Sequence, residues 1–219
     1  MQEPATDFLG IRLSLHPDVY EPSDDSELMV GAARKYSFGR VLDLGCATGV
    51  FGIASAKKEE VKSVVCADLN PAAVKLAKKN AKANGVGKKI SAVQTDLFSS
   101  FSKSKEKFDV IGFNPPYLPT ATDEVVAGEL NRAFDGGKSG RGITDRFLSG
   151  FEGHLAAGGK LVLLQSSLSG IDKTTKILEK KGFKVEKESS KKFFFEEIAV
   201  LVARKTPDWE KKKPRARRD

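Results

Sequence analysis

Residues 113–119 read FNPPYLP, an asparagine, two prolines and a tyrosine directly after the apolar run VIGF. Each proline lacks the donor N–H that a central strand needs, so a strand must end at Asn114 and a rigid turn must begin there. An Asn side-chain oxygen and a fixed backbone carbonyl both accept hydrogen bonds. Together they can grip the two N–H groups of a planar NH2. Such a nitrogen is a poor nucleophile because its lone pair is delocalised. Two well-placed acceptors favour its pyramidalisation and aim the lone pair at an electrophilic methyl. This is positioning and electrostatics, and it needs no strong general base. Asn114, Pro115, Pro116 and Tyr117 therefore form the candidate catalytic group. Asn114 and the Pro115 carbonyl would be the acceptors, the prolines would hold the backbone still, and the Tyr117 ring would cover the planar group.

Three further stretches carry residues suited to a nucleoside. DLGCATG places Gly45 and Gly49 around a strand-to-helix turn, where the backbone can approach a ligand. A dinucleotide fingerprint would need Gly where Ala47 and Val50 stand, which argues against NAD. Asp68 follows Gly45 by 23 residues, a spacing at which an acid accepts from ribose hydroxyls. Its bland alternative is to help cap a helix that begins near Asn70. Asp96, in TDLF, can meet the edge of an adenine, with Leu97 and Phe98 packing on its face.

These residues need elements to hold them. RVLDLG, VKSVVCAD, KISAVQTD, FDVIGFN and KLVLLQSS read as buried strands, and FKVEKES with FEEIAVLVARK as a terminal antiparallel pair. GVFGIASAKK, NPAAVKLAKKNAKANG, ITDRFLSGFEGHLAAGG and GIDKTTKILEKKG read as helices between them. In the second of these Asn70 can cap, Pro71 suits the first turn and Gly85 can end the helix. The alternation predicts an α/β fold, a doubly wound, seven-stranded, mostly parallel sheet with a C-terminal antiparallel pair. Ligands of such sheets bind outside the carboxyl ends of the strands. Those ends are where Asp43 to Gly49, Asp68, Asp96 and Asn114 to Tyr117 fall.

The 219 residues suffice for one domain, with 40% hydrophobic and 30% charged content. The division expected is an extension over the cofactor site at 1–39, the main domain at 40–204 and a basic tail at 205–219. That tail holds seven Lys or Arg and three acids, out of a whole-chain net charge of +8. Such a run reads as a solvated end or as an electrostatic contact to RNA or the ribosome. No apolar run approaches the ~20 residues of a membrane span. The first residues show no secretory pattern, and a cytoplasmic location is expected. Cys46 and Cys66 make neither a disulfide framework nor a four-ligand zinc site, and Cys46 reads as a small buried residue. His16 and His154 read as surface or packing residues. The FFF run at 193–195 is expected to cover the sheet or to form a turn with a core contact, an exposed aromatic contact to a partner being the alternative.

Taken in order, DLGCATG, ADLN, TDLF and FNPPYLP resemble a class I S-adenosylmethionine-dependent methyltransferase acting on a planar amino group. NPPY alone leaves two acceptors open, a glutamine carboxamide in a protein or an exocyclic base nitrogen in DNA or RNA. A non-enzymatic cofactor-binding scaffold is a third reading, against which the intact NPPY argues. VYEPSDDSELM and AFDGGKSGRGITDRFL further resemble the HemK-type release-factor glutamine methyltransferases, closest to their short eukaryotic and archaeal branch. The resemblance implies N5-methylation of the GGQ glutamine of a peptide-chain release factor. It implies a cofactor set of Ser26, Asp43, Gly45, Asp68, Asp96, Leu97 and Asn114. It also implies a heterodimer with a small zinc-binding activator protein, which would add strands to the sheet edge at KISAVQTD. Ser26 stands where Thr is frequent, and Ala47 replaces a common middle Gly. Asp135 to Gly137 would shape the substrate side.

Overall fold

The computed structural model describes residues 5–101, 107–119 and 136–206. A hairpin, β1 (Ala5–Phe8) and β2 (Ile11–Ser14), precedes helix α1 (Asp24–Tyr36). Next come β3 (Gly39–Leu44), α2 (Val50–Ala56), β4 (Val61–Asp68), α3 (Pro71–Ala83), β5 (Ile90–Gln94) and β6 (Phe108–Phe113). The rest is α4 (Gly142–Gly150), β7 (Leu155–Ser166), α5 (Ile171–Lys180), β8 (Phe183–Lys192) and β9 (Glu197–Lys205).

The main sheet has seven strands in the order β5-β4-β3-β6-β7-β9-β8. Pairing is parallel from β5 through β7, and β9 is antiparallel to both neighbours. From β3 the strands run outward through β4 to β5, and from β6 the other way to β7 and then the β9–β8 pair, so the winding reverses between β3 and β6. Side chains alternate across the sheet, as strand geometry requires. Val41, Val110 and Val162 enter one core, with residues of α1, α2 and α3. Leu42, Ile111 and Leu161 enter the other, with Phe147 and Leu148 of α4 and Leu178 of α5. The fold class read from the sequence stands, including the terminal antiparallel pair.

Helix α3 has the ends its sequence predicts. The Asn70 side chain accepts from Ala72 N at 2.8 Å, and Pro71 occupies the first turn. At the other end Gly85 adopts φ +73°, while Val86 N donates to Ala81 O and Gly85 N to Lys82 O. That is the left-handed glycine stop whose amides satisfy the last carbonyls.

Two expectations are corrected. The long helix expected over ITDRFLSGFEGHLAAGG ends at Gly150, and LAAGG opens β7 instead. Gly150 and Gly153 weaken the helix, and Leu155 pairs with Phe108 in the sheet. Phe194 and Phe195 cover nothing; both stand out in solvent at the turn between β8 and β9. β9 runs to Lys205, where the strand read from FEEIAVLVARK ends, and Lys205 pairs with Glu152. The remainder of the basic tail, 207–219, and Asp135 lie outside the described residues.

The N-terminal hairpin and α1 are findings that residue patterning did not supply. The hairpin docks on α3 through two asparagines one turn apart. Asn84 Oδ1 accepts from Arg12 N, and its Nδ2 donates to Arg12 O. Asn80 does the same for the two main-chain groups of Ser14. The outward polar groups of β2 are thereby satisfied without another strand.

Candidate functional site

The carboxyl ends of β3 and β6 lie side by side where the winding reverses, the place where open α/β sheets bind ligands. A cavity of about 390 Å³ opens there, within the range of small-molecule sites. Its walls contain Ser26, Asp43, Gly45, Asp68, Asp96, Leu97, Asn114, Pro115, Pro116 and Tyr117. These ten residues, named for cofactor or catalysis from the sequence, thus meet at one place.

The β3–α2 loop is wound tightly. Gly45, Ala47 and Gly49 adopt φ of +65°, +45° and +81°. Gly49 has no room for a side chain, since a Cβ would lie 2.9 Å from that of Ala77. A Cβ on Gly45 would come within 3.3 Å of the Phe113 ring and 3.7 Å of Asn114 O, narrowing the cleft between the two strand ends. Ala47 holds a glycine-like conformation with a side chain attached, which costs ~1–2 kcal/mol. Part of that returns as reduced freedom of the unfolded chain. Ala47→Gly should raise the free energy of unfolding by roughly 0.5–1 kcal/mol, read by denaturant titration. A loss of similar size would show that the loop is not strained there.

Asp68, at the end of β4, holds this loop and the next. Its Oδ2 accepts from Ala47 N and its Oδ1 from Asn70 N, each at 2.9 Å. The bland reading of Asp68 is therefore present in the structure, alongside a place in the cavity wall. Asn70 Nδ2 reaches across to Asp18 O at 2.7 Å, which fastens the segment before α1 over the cavity. Asp96 is half exposed and accepts from Arg146 of α4 at 2.8 Å. Leu97 lines the cavity with φ +48°. Phe98 turns the other way, into the second core, where it stacks on Phe147 and His154. It does not form the adenine face proposed for it.

Asp43 is buried and spends Oδ2 on the amide of Gly52 at 2.9 Å. Burial pushes its carboxyl up to about 7, partly offset by that hydrogen bond. A folded carboxyl raised this far holds a proton that the unfolded chain has already released above pH ~4. Stability should therefore fall as pH rises from about 4 to about 7, then level off. Asp43→Asn should flatten that decline, as thermal melts at pH 5 and pH 8 would register. An unchanged pH dependence would contradict it.

The catalytic candidates are held from an unexpected direction. Asn114 Nδ2 donates to Asp25 Oδ2 at 2.8 Å. Asp25 lies in the first turn of α1 and is 4% exposed. Its other oxygen accepts from Tyr20 Oη, Ser26 N and Ser26 Oγ. A carboxylate only accepts, so the atom of Asn114 facing it must be the NH2. Asn114 Oδ1 is then left buried with no hydrogen-bond partner. Buried acceptors are seldom left so, and this one belongs to the cavity wall. Tyr117 stands beside it, its phenol pushed well up by burial and then by the charges of Asp25 and Glu196. Ser26 was expected here; Asp25 and Tyr20 were not. The only signal for them was VYEPSDDSELM itself, which does not say which acid turns inward.

Neither cysteine is a nucleophile. Both are buried, and the Cys46 thiol is held up by its hydrogen bond with Cys66 and by burial. His16 is exposed, and half-buried His154 packs on Phe98. Among the described residues no acid, histidine or cysteine cluster could hold a metal, and no helix is long and apolar enough to cross a membrane.

Residues 20–194 match the family described as methyltransferase small domain. The chain is 49% identical to a Methanocaldococcus jannaschii protein provisionally named a protein N5-glutamine methyltransferase, over 89% of this chain and 95% of that one. It is 30% identical to human methyltransferase HEMK2, over 90% and 95%. Among solved structures it is similar to the E. cuniculi Mtq2–Trm112 complex, responsible for methylating the eRF1 translation termination factor. That likeness has a TM-score of 0.64 and 27% identity, and covers 86% of this chain and 99% of the other.

Proposed function

The chain belongs to the small-domain methyltransferases, in their HemK-type release-factor glutamine branch, and from that premise we propose that it N5-methylates the GGQ glutamine of a peptide-chain release factor. The observation that carries this reading is the unpartnered Oδ1 of Asn114, buried in the wall of the cavity. A carboxamide NH2 supplies the donor that this atom lacks.

The cofactor proposed is S-adenosylmethionine. The donor set suits it. Asp68 and Asp96 offer carboxylates at two strand ends, for hydroxyls and for an adenine edge. Gly45 leaves the backbone open between β3 and β6. Ser26, Asp43 and Leu97 complete the wall. Bound there, the cofactor supplies an electrophilic methyl on a sulfonium. The chain's own residues do the remainder. Asn114 Oδ1 and the Pro115 carbonyl each accept one N–H of the acceptor amide. Both acceptors are fixed beforehand, Asn114 by Asp25 and the Pro115 carbonyl by its proline neighbours. Positive charge that develops on the nitrogen as the N–C bond forms meets two dipoles already aimed at it, and the surplus proton leaves along one of these two contacts to solvent. The Tyr117 ring covers the planar group and keeps water away.

The Mtq2–Trm112 complex supports an assembly with a partner protein, and the partner proposed is a small zinc-binding one. β5 is an edge strand, as expected, and offers its outer main-chain groups to an added strand. The basic run is proposed to make an electrostatic contact with RNA or the ribosome, and the location proposed is cytoplasmic. A direct test is methyl transfer to a release factor and to the same factor with its GGQ glutamine replaced by alanine, each with and without the small partner. The reading expects turnover that disappears with the glutamine. Equal labelling of both factors would overturn it.

A further inference from the structure

The turn joining β8 to β9 exposes three phenylalanines in a row. Phe193, Phe194 and Phe195 are 44%, 92% and 84% exposed. The outer two rings pack edge-on with centroids 4.5 Å apart. Phe193 N donates to Glu196 O at 2.7 Å and closes the turn. Beside it, the turn that ends β7 presents Leu168, 46% exposed. Ser167 Oγ accepts from Glu197 N at 2.9 Å and joins the two turns. Four large apolar side chains thus stand on a braced frame, with little freedom left to lose on binding. Contiguous exposed apolar surface of this kind marks an interaction site.

The patch is attached to the rim of the cavity. Glu196 accepts from Ser166 Oγ at 2.6 Å. Ser166 ends β7, and β7 pairs with β6 up to Phe113, the residue before Asn114. The charge of Glu196 also reaches Tyr117. From strand spacing and rise, Phe194 stands on the order of 20 Å from Asn114. A peptide inserted at Asn114 would bring its parent protein over the patch.

Charge decides what kind of partner fits. Lysines flank the phenylalanines, a mixture that also suits nucleic acid. Phosphates, however, need cations to neutralise them. Here Lys191 pairs with Asp24 at 2.7 Å and Lys187 with Glu197 at 3.0 Å. Lys192 also acts on Glu197. With Glu196 beside Phe195, three carboxylates stand against these three lysines, which leaves an apolar centre with a rim of no net charge. That is the make-up of a protein–protein contact.

We propose that Leu168 and Phe193–Phe195 form a docking surface for an apolar segment of the methyl-accepting protein, separate from its acceptor loop. The proposal rests on the protein-substrate reading above. The test is the double variant Phe194→Ser, Phe195→Ser, which alters only exposed side chains. Its kinetics are measured on an intact release factor and on a short peptide spanning the GGQ loop, with the small partner present. RNA binding is titrated in parallel at low salt. Expected is a rise in KM for the intact factor of about tenfold or more, with kcat and the rate on the peptide unchanged. An unchanged KM would overturn the proposal, as would equal losses on factor and peptide. Weakened RNA binding with an unchanged KM would reassign the surface to nucleic acid. If the unmodified chain methylates no release factor, the substrate reading falls and this proposal falls with it. Normal turnover by the unmodified chain with an unchanged KM in the variant overturns this proposal alone.

Discussion

Asn114→Ala should lower methyl transfer by about 10²–10³-fold while S-adenosylmethionine affinity changes only a few-fold. The side chain follows a strand end and belongs to no core layer; its removal costs α1 only the donor to Asp25 Oδ2, which thermal melts would register. What disappears is one of two acceptors that hold the reacting nitrogen. A fixed dipole aimed at developing charge is worth roughly 3–4 kcal/mol in a dry site. Cofactor binding is spread over residues of several strand ends and keeps its other partners. The measurement is single-turnover transfer beside equilibrium cofactor binding. Turnover within tenfold of the unmodified chain would remove Asn114 from the chemistry. Equal losses in binding and transfer would make it a cofactor residue only.

The second large effect is an inversion. Asp25→Asn should slow transfer more than Asp25→Ala does. In the amide variant the one remaining oxygen can keep Tyr20 Oη and the two donors of Ser26, because those three converge on one atom. The introduced NH2 would then face the NH2 of Asn114. Two donors cannot pair, so Asn114 turns over and offers its own NH2 to the acceptor amide. Transfer should fall by about 10²–10³-fold, since an attractive contact becomes a repulsive one. Alanine leaves Asn114 unguided but free to adopt the productive orientation part of the time, and about a tenfold loss follows. Both variants are compared by kcat, with thermal melts to separate a folding defect. Alanine slower than asparagine would mean that Asp25 acts through packing or charge rather than by orienting the amide.

Much of this site was legible in the sequence, for identifiable reasons. The run VIGF before two prolines can only be a strand that stops, and β6 stops at Phe113. Asn70, Pro71 and Gly85 are local signals with local causes, and α3 obeys each. Alternation of strands and helices gave the sheet, and the sheet gave the cavity. The misses share a different cause. Asp25 reaches Asn114 across 89 positions of chain, and its role follows from how α1 lies over the sheet. Phe98 is one residue from a cavity residue, but Leu97 at φ +48° turns the chain so that Phe98 faces the second core. LAAGG reads as a helix end until the pairing of Leu155 with Phe108 is known. Three adjacent phenylalanines are counted as core by any rule of composition, yet a tight turn leaves the outer two in water.

The central claim is that the buried, unpartnered oxygen of Asn114 waits for a protein carboxamide. It is tested most directly by mapping the methyl. The chain, with the small partner protein, is incubated with S-adenosylmethionine and a release factor, and separately with a mixed RNA pool. Peptides and nucleosides are then resolved by mass spectrometry. The expected product carries a single methyl on the side-chain nitrogen of the GGQ glutamine and none on any base. An unmodified release factor beside a methylated base amine would contradict it.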